Sequence, residues 1–298
     1  MTEVDAASIG GTLKCNVAGD VVAVDGDHFA IRFDANAGLM TSLKYAGLEM
    51  IEAGNGFGLN WYRAVNNDKY ADQKFYPTEN TKNMWMHEVS ADGKCVTLVF
   101  HNRAVIQGSK AVKIPYAVTY SVYADGTIDV DASFTTPSSS APMHRLGLQA
   151  VLRPGFENVE YYGRGPRENY ADRKAAMFLG RYTTTVTGME EEHYVRSQSM
   201  GNREDVRWLS LRDDAGRGIK ITSKDRLGFS ALHFTDDALW RAVHDFELDN
   251  IRRPEIYLSL DCIQQGLGNA SCGPRPLPEY MIPANSQLGF SFRIEPLQ

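Results

Sequence analysis

One short stretch, Tyr161-Tyr162-Gly163-Arg164-Gly165-Pro166-Arg167-Glu168-Asn169-Tyr170-Ala171-Asp172-Arg173, holds the densest unusual chemistry in this sequence. Gly163, Gly165 and Pro166 favour a fixed turn at the end of a strand. Arg164, Glu168, Asp172 and Arg173 then set alternating charge in a short loop. A guanidinium and a carboxylate can pair through two parallel hydrogen bonds, which would lock such a loop. The tyrosines add planar apolar faces with a hydroxyl edge, a surface that suits a sugar ring. The plainer expectation is a self-paired loop that supports the fold, because satisfied ion-pair networks gather charge in the same way.

Three further segments carry polar side chains with several donors or acceptors. His193-Tyr194-Val195-Arg196-Ser197-Gln198-Ser199-Met200-Gly201-Asn202-Arg203 runs on into Glu204-Asp205-Val206-Arg207-Trp208. Its Gln, Asn and Arg side chains are fit for hydroxyl recognition, although a loop wired to its neighbours is the leading expectation. His193 has no visible partner and is a weak acid–base candidate. Gln264-Gln265-Gly266-Leu267-Gly268-Asn269-Ala270-Ser271-Cys272-Gly273-Pro274 exposes backbone at three glycines, where a ligand could approach closely. It is not a phosphate loop, since the GxxxxGK pattern is missing and no helix follows. Cys272 as a nucleophile would need a base and a lowered pKa, and the sequence offers neither. Leu59-Asn60-Trp61-Tyr62-Arg63-Ala64-Val65-Asn66-Asn67-Asp68 reads first as core packing followed by a turn.

Cleaving a glycosidic bond takes two carboxyl groups across one bond, one of them protonated. No pair of segments presents such a dyad, and Glu190-Glu191-Glu192 reads as a solvated turn. No catalytic residue is assigned to the chain, and no metal ligand set. Cys15, Cys95, Cys262 and Cys272 lie far apart without CxxC spacing, so free thiols are expected rather than a zinc site or a disulfide framework.

The elements that must position these segments are short strands. Apolar and polar residues alternate over Val21–Val24, Phe29–Phe33, Leu39–Tyr45 and Leu48–Ile51, with Asp25-Gly26-Asp27 and Ala46-Gly47 as turns. Val96–His101 is another strand. Tyr116–Tyr123 and Thr127–Phe134 flank Ala124-Asp125-Gly126, a hairpin signal. Trp208–Leu211 and Gly218–Ile221 flank a second hairpin, and Phe229–Phe234, Glu255–Cys262 and Leu288–Ile294 follow. This density predicts an all-β fold, a large antiparallel β-sandwich, rather than βαβ units. One helix is expected over Asp236–Phe246, capped by Thr235 or Asp236, with Leu239, Val243 and Phe246 at helical spacing.

The length of 298 residues allows a large core. Residues 1–19 read as a linker or edge strand from a preceding domain, and 20–298 as one domain. A net charge of −6 without a basic face argues against nucleic acid as a partner. No run approaches the roughly 18 apolar residues of a membrane helix, so no membrane partner is expected. The polar start Met1-Thr2-Glu3-Val4-Asp5 shows no signal peptide and fits a piece of a longer chain. Location is left open: cytoplasmic, or periplasmic if a longer parent carries a signal.

Taken together, the four segments resemble the C-terminal domain of family-two glycoside hydrolases of the β-galactosidase type, which in heterodimeric members is a separate small chain. The family's stretches run Trp-Arg-Ala-Pro-x-x-Asn-Asp, Gly-x-Gly-Pro-x-Glu-x-Tyr-x-Asp-Arg, His-Tyr-Val-x-Pro-Gln-Glu-x-Gly-Asn-Arg, and a late Gly-rich run ending Ser-Trp-Gly. The second is intact from Gly163 to Arg173, and all four occur in order. Tyr62 and Val65 replace a Trp and a Pro, Ser197 and Ser199 stand where Pro and Glu are usual, and Cys272 takes the place of the Trp that stacks on sugar. The thiol removes a planar platform, which puts galactose stacking by this loop in doubt.

The resemblance implies a supersandwich of the galactose-mutarotase type that packs against a catalytic barrel, in cis or as a large subunit in trans. It implies catalytic glutamates and any magnesium or sodium on that barrel, and no cofactor in this chain. Asn269, Ser271 and Cys272 are then the expected contacts to a β-galactoside or related sugar at the pocket rim. Arg164, Glu168, Tyr170, Asp172 and Arg173 are the expected structural loop. Two alternatives stay open: a free-standing mutarotase-like epimerase, for which His101, His144 or His193 would supply the acid, and a non-catalytic carbohydrate-binding module.

Overall fold

The computed structural model describes residues 9–66, 68, 78–81, 84–106, 112–138, 143–268 and 273–297. Within them the alternating runs form strands as expected. β1 (Lys14–Ala18), β2 (Val21–Asp25), β3 (Phe29–Asp34), β4 (Leu39–Tyr45) and β5 (Leu48–Glu49) make an antiparallel meander in chain order. In β3, Phe29, Ile31 and Phe33 are buried while Ala30, Arg32 and Asp34 are only half-buried, the period of two that a one-sided sheet requires. β1 is the edge strand of this sheet, so residues 14–18 are paired within the fold, while residues 1–8 lie outside the described residues.

The second sheet contains β6 (Gly58–Asn60), β7 (Thr78–Thr81), β8 (Trp85–Val89), β9 (Cys95–Ile106), β10 (Val112–Tyr123) and β11 (Ile128–Thr135). It continues through β12 (Arg145–Leu152), β13 (Asn158–Gly165), β14 (Phe178–Thr185), β15 (Arg203–Arg212), β16 (Gly218–Leu232), β17 (Ile256–Gln264) and β18 (Gln287–Leu297). The sheet divides at β16. Gly218–Ser223 pairs with β18 and leads on to β11, β10 and β9. Gly228–Leu232 pairs with β17 and leads on to β12 and β6. The facing strand β15 slips register twice between Arg203 and Trp208, and Asp205 there has φ 55°, the kind of bulge that bends a strand. The meander covers the second sheet through Phe33, whose ring lies 5.9 Å from Phe100 and 5.1 Å from Tyr120. The result is the expected all-β antiparallel sandwich around one apolar core.

Two directions in this sheet position the site. β6 and β17 both run antiparallel to β12, so they run the same way and release residues 61–68 and 265–268 at one end. β13 runs antiparallel to β15, so the exit of one lies beside the entry to the other. That brings residues 166–173 next to residues 193–202.

Strands β12 to β14 are additions to those expected from alternation. Strand β12 is buried on nearly every residue, so its run reads as continuous rather than alternating. The helix α1 spans only Asp236–Arg241 instead of reaching Phe246. Its start is as expected, with Thr235 Oγ1 accepting the Ala238 N–H at 3.0 Å. It stops because the Val243 N–H, which a longer helix would aim at Leu239, donates to the Glu247 carboxylate at 3.2 Å. Leu239 is buried, whereas Val243 and Phe246 are exposed. Cys15, Cys95 and Cys262 are free thiols, and Cys272 lies outside the described residues.

Gly147 sits at a register shift in the β12–β17 pair. A Cβ there would fall 2.2 Å from the Leu260 carbonyl oxygen and 2.7 Å from the Asp261 Cα, both backbone. Gly147→Ala is therefore expected to destabilise the fold by about 1–3 kcal/mol through overpacking. Urea unfolding checks this; an unchanged midpoint contradicts the close approach.

Candidate functional site

A cleft of about 490 Å³ opens at the end where these segments emerge. Val65 and Asn66 line it from the exit of β6, and Glu168, Tyr170, Asp172 and Arg173 from the exit of β13. Tyr194, Gln198 and Ser199 line it from the approach to β15, and Leu267 and Gly268 from the exit of β17. All four segments singled out in the sequence therefore meet at one place.

The foundation is a buried guanidinium. Arg63 is 1% exposed and donates from Nε and Nη2 to the two Asp68 oxygens at 2.9 and 2.8 Å. Its other N–H groups reach the Gln265 carbonyl, the Gly266 carbonyl at 3.1 Å and the Gln264 side chain at 3.4 Å. A charge taken out of water is tolerable only with this degree of pairing. The Tyr170 ring has two guanidiniums over it, that of Arg63 at 6.0 Å and that of Arg173 at 5.6 Å from its centre. Burial pushes its phenol well above the ordinary range, so it enters the cleft as a neutral ring with a hydroxyl.

The loop after β13 is braced as its charge pattern suggested, with different partners. Residues 170–173 form a tight turn in which Tyr170 and Arg173 exchange backbone hydrogen bonds at 3.3 and 2.8 Å. Glu168 accepts from Arg173 Nη2 at 2.5 Å, from the Tyr194 hydroxyl, and from the Gly201 N–H at 2.9 Å. Burial raises the Glu168 carboxyl, against the opposing pull of those donors and the Arg173 charge. Asp172 accepts from the Leu267 and Gly268 N–H groups at 2.9 and 2.8 Å. Arg164 does not reach the cleft; it pairs with Asp205 at 2.5 Å and donates to the Met177 carbonyl at 2.8 Å. Asn169 holds the floor, donating to the Arg164 and Arg167 carbonyls and accepting from the Glu204 N–H.

The segment before β15 is wired on both sides. Ala64 and Ser199 exchange two hydrogen bonds of 2.7 Å, and Ser199 Oγ donates to Asp236 at 2.7 Å. Gln198 accepts the Asn66 N–H at 3.1 Å. Glu190 and Glu191 depart from the expected solvated turn. Glu191 accepts from the Glu168 N–H and from Arg203 Nη2, each at 2.9 Å, and Glu190 pairs with Arg252. Glu191 thus neutralises the buried Arg203, and Glu190 is mostly covered while pairing with the exposed Arg252. His193 is largely exposed and lies 3.0 Å from Asp245, away from the cleft lining.

Sequence reasoning missed the brace beneath the cleft. Arg145, 3% exposed, donates to both Asp261 oxygens at 2.7 and 2.9 Å and reaches Asp236 at 3.3 Å. Gln264 joins Asp261 to Asn202 through its amide, both at 2.8 Å. The available signal was Asp261 itself, a charge inside the apolar strand Ile256–Gln264, which demands a buried partner. Glu204, which accepts from Asn202 at 3.0 Å, has its carboxyl pushed up to about 7 by burial. Asn269, Ser271 and Cys272 lie outside the described residues.

The cleft thus presents aromatic faces and fixed amide and hydroxyl groups, the mixture that recognises a sugar. Among the described lining residues the carboxylates are Glu168 and Asp172, and each accepts at least two hydrogen bonds from the chain itself.

Residues 25–294 match the family model described as the β-galactosidase small chain. The chain is 30% identical over 295 residues to a β-galactosidase of Halalkalibacterium halodurans, covering 95% of this chain and 28% of that protein. It is 30% identical over 293 residues to a β-galactosidase of Lactobacillus delbrueckii subsp. bulgaricus, covering 93% of this chain and 27% of that protein. The chain therefore spans under a third of the length of these relatives. Among solved structures it is similar to galactose 1-epimerase from Lactobacillus acidophilus NCFM, with a TM-score of 0.48 and 8% identity, over 97% of this chain and 99% of that one.

Arg63→Ala is expected to cost about 3–5 kcal/mol, because it takes the guanidinium away from the buried Asp68 carboxylate and from the carbonyls of Gln265 and Gly266. The double variant Arg63→Ala/Asp68→Ala should recover part of that loss, and a double-mutant cycle by chemical denaturation reads the coupling. Glu204 gives a prediction in pH. Its folded carboxyl titrates near 7 and its unfolded one near the ordinary value, about 4.3. Stability from this group is fully present below the unfolded value and falls as pH rises towards the folded one. Glu204→Gln should therefore flatten the stability profile between about pH 5 and 8, with the variant gaining most on wild type at the alkaline end.

Proposed function

The chain belongs to the β-galactosidase small-chain family, and from that premise we propose that it is the accessory domain of a β-galactosidase. It completes the rim of the sugar pocket and assists assembly, with the catalytic carboxylates carried by the remaining, larger part of the enzyme. The partner is that larger part, joined in the same polypeptide or as a separate subunit. The substrate is a terminal β-galactoside or a closely related β-glycoside.

One observation carries this reading: the four family segments converge on a polar, aromatic cleft whose carboxylates among the described residues, Glu168 and Asp172, both serve as braces. Retaining or inverting hydrolysis needs an opposed acid and nucleophile or base. A domain that offers contact groups without such a pair contributes binding and shape. The length of the relatives supports a larger catalytic partner. The epimerase alternative needs a carboxylate base and a histidine acid in one cleft; the described lining residues include no histidine, and His193 pairs elsewhere.

The test is hydrolysis of nitrophenyl β-galactoside. The isolated chain is expected to be inactive. Added to the H. halodurans enzyme lacking its matched 295 residues, it is expected to restore turnover. Hydrolysis by the isolated chain would overturn the proposal. Calorimetric titration of the chain with galactose and lactose separates the reading from that of a free-standing binding module.

A further inference from the structure

His233 follows directly on β16, is 5% exposed, and has an acceptor in front of each ring nitrogen. Nε2 lies 2.6 Å from Glu157 Oε1, and Nδ1 lies 3.0 Å from the Glu255 backbone carbonyl oxygen. A carbonyl oxygen has no proton to give, so Nδ1 must donate. The Glu157 carboxyl is also an acceptor: burial pushes it up, but the bonds from His233 and Thr187 outweigh that and hold it below the usual range. A neutral imidazole has one N–H, and only the protonated ring has two. The contacts therefore fit an imidazolium, and a neutral ring would set a lone pair against an oxygen at a buried position. Four chain segments meet at this ring. Glu157, between β12 and β13, also accepts from the Thr187 N–H at 3.2 Å and the Thr187 hydroxyl at 3.1 Å, and its backbone carbonyl takes the Val186 N–H at 2.9 Å. Glu190 accepts the His233 N–H at 3.3 Å and pairs with Arg252, which donates to the Thr187 hydroxyl at 2.7 Å. The Arg253 N–H donates to the His233 carbonyl at 3.0 Å, while its guanidinium turns to the Tyr257 hydroxyl at 3.4 Å. Charge thus reaches the cluster from each element packed on the ring: Glu157, Glu190 and Arg252.

We propose that His233 is a proton-operated latch on residues 186–191: with its proton it clamps Glu157 to the Glu255 carbonyl and holds that segment, and on losing the proton it lets the segment loosen. Histidine is the side chain whose charge ordinarily changes around neutral pH, which suits it to this task. The clamp needs the proton, so it is complete on the acid side of the ring's titration and is lost as pH rises through it. Glu157 sets the lower limit, because protonating its carboxylate at acid pH removes the ring's anionic partner. The segment matters beyond itself. Glu191, next to Glu190, holds the Glu168 N–H and Arg203, so loosening at 186–191 is passed to the base of the cleft wall. The latch is read on the isolated chain and stands apart from the accessory-domain reading.

Two measurements on the intact wild-type chain and one variant test the latch. Nitrogen-15 spectra, with the His233 ring assigned through the backbone, should show both ring nitrogens protonated at about pH 6. Amide hydrogen exchange, corrected for its intrinsic pH dependence, should speed up about tenfold at Thr187 between about pH 6 and about pH 8.5. The Glu168 amide should follow by about two- to threefold, with the amides of β10 and β11 unchanged. His233→Gln carries no titrating proton, so its Thr187 amide should exchange fast at both ends of that range, with the extra pH dependence gone. A bare nitrogen on the His233 ring at about pH 6, wild-type protection at Thr187 that is flat across the range, or the same pH dependence persisting in His233→Gln would overturn the proposal. The ring spectra and the wild-type exchange need no variant, so they decide the matter even where His233→Gln fails to fold.

Discussion

A strand that ends at a binding surface leaves carbonyls and amides that must find partners, and at the end of β17 a buried arginine supplies half of them. Arg63 is closed off from water, so every N–H of its guanidinium has to be answered by the protein. Asp68 answers two, and the carbonyls of residues 265 and 266 answer others. That requirement ties the exit of β6 to the exit of β17 across the intervening β12. The rest of the cleft follows from it. Tyr170 stacks on the same guanidinium, and the turn carrying Tyr170 also carries Asp172, which takes the amides of the same peptide run. The branching of the sheet at β16 matters here because it creates the layer in which β6 and β17, parallel to each other, flank β12 antiparallel to both.

How much of this was legible before the coordinates differs by type of interaction. Strands with one wet face were legible because burial imposes a period of two, as in β3 and in the β10–β11 hairpin around Gly126. β12 was not, because a strand covered on both sides loses that period. The four site segments were legible as unusual local chemistry, and the family likeness placed them together. The specific pairings were not legible. Arg164 sits on β13 and belongs to Asp205, not to the loop that follows it in sequence. Asp172 answers backbone amides almost a hundred residues away, and no side-chain pattern encodes that. The helix was overextended because Val243 and Phe246 fit a helical stripe, while the competing bond from Val243 N–H to Glu247 is set by a side chain that the stripe ignores.

Carboxylates at this site illustrate why acidity alone is a poor guide to catalysis. Glu168 and Glu204 are both raised by burial, the usual mark of a functional acid. Yet Glu168 is surrounded by Arg173, Tyr194 and the Gly201 N–H, and Glu204 answers the Asn202 amide in the layer below the cleft. Removing either oxygen from these bonds to attack a substrate would leave a buried donor unmet, at a cost comparable to a lost core contact. The same logic explains Ser199, where the family pattern has a glutamate. Its hydroxyl donates to the Asp236 carboxylate at 2.7 Å while accepting the Ala64 N–H. A carboxylate in that place would set like charges against each other, so the serine goes with the acidic partner that this chain keeps at Asp236.

The brace around the cleft is therefore under a shared constraint. In the brace, each group satisfies two or three others, and a change at one position leaves several buried donors or acceptors unpaired. A change at Arg63, Asp172, Gly266 or Gly268 therefore disturbs the partners of the others. At the end of β17 the constraint falls on peptide groups, with Arg63 holding the carbonyls of Gln265 and Gly266 and Asp172 the N–H groups of Leu267 and Gly268.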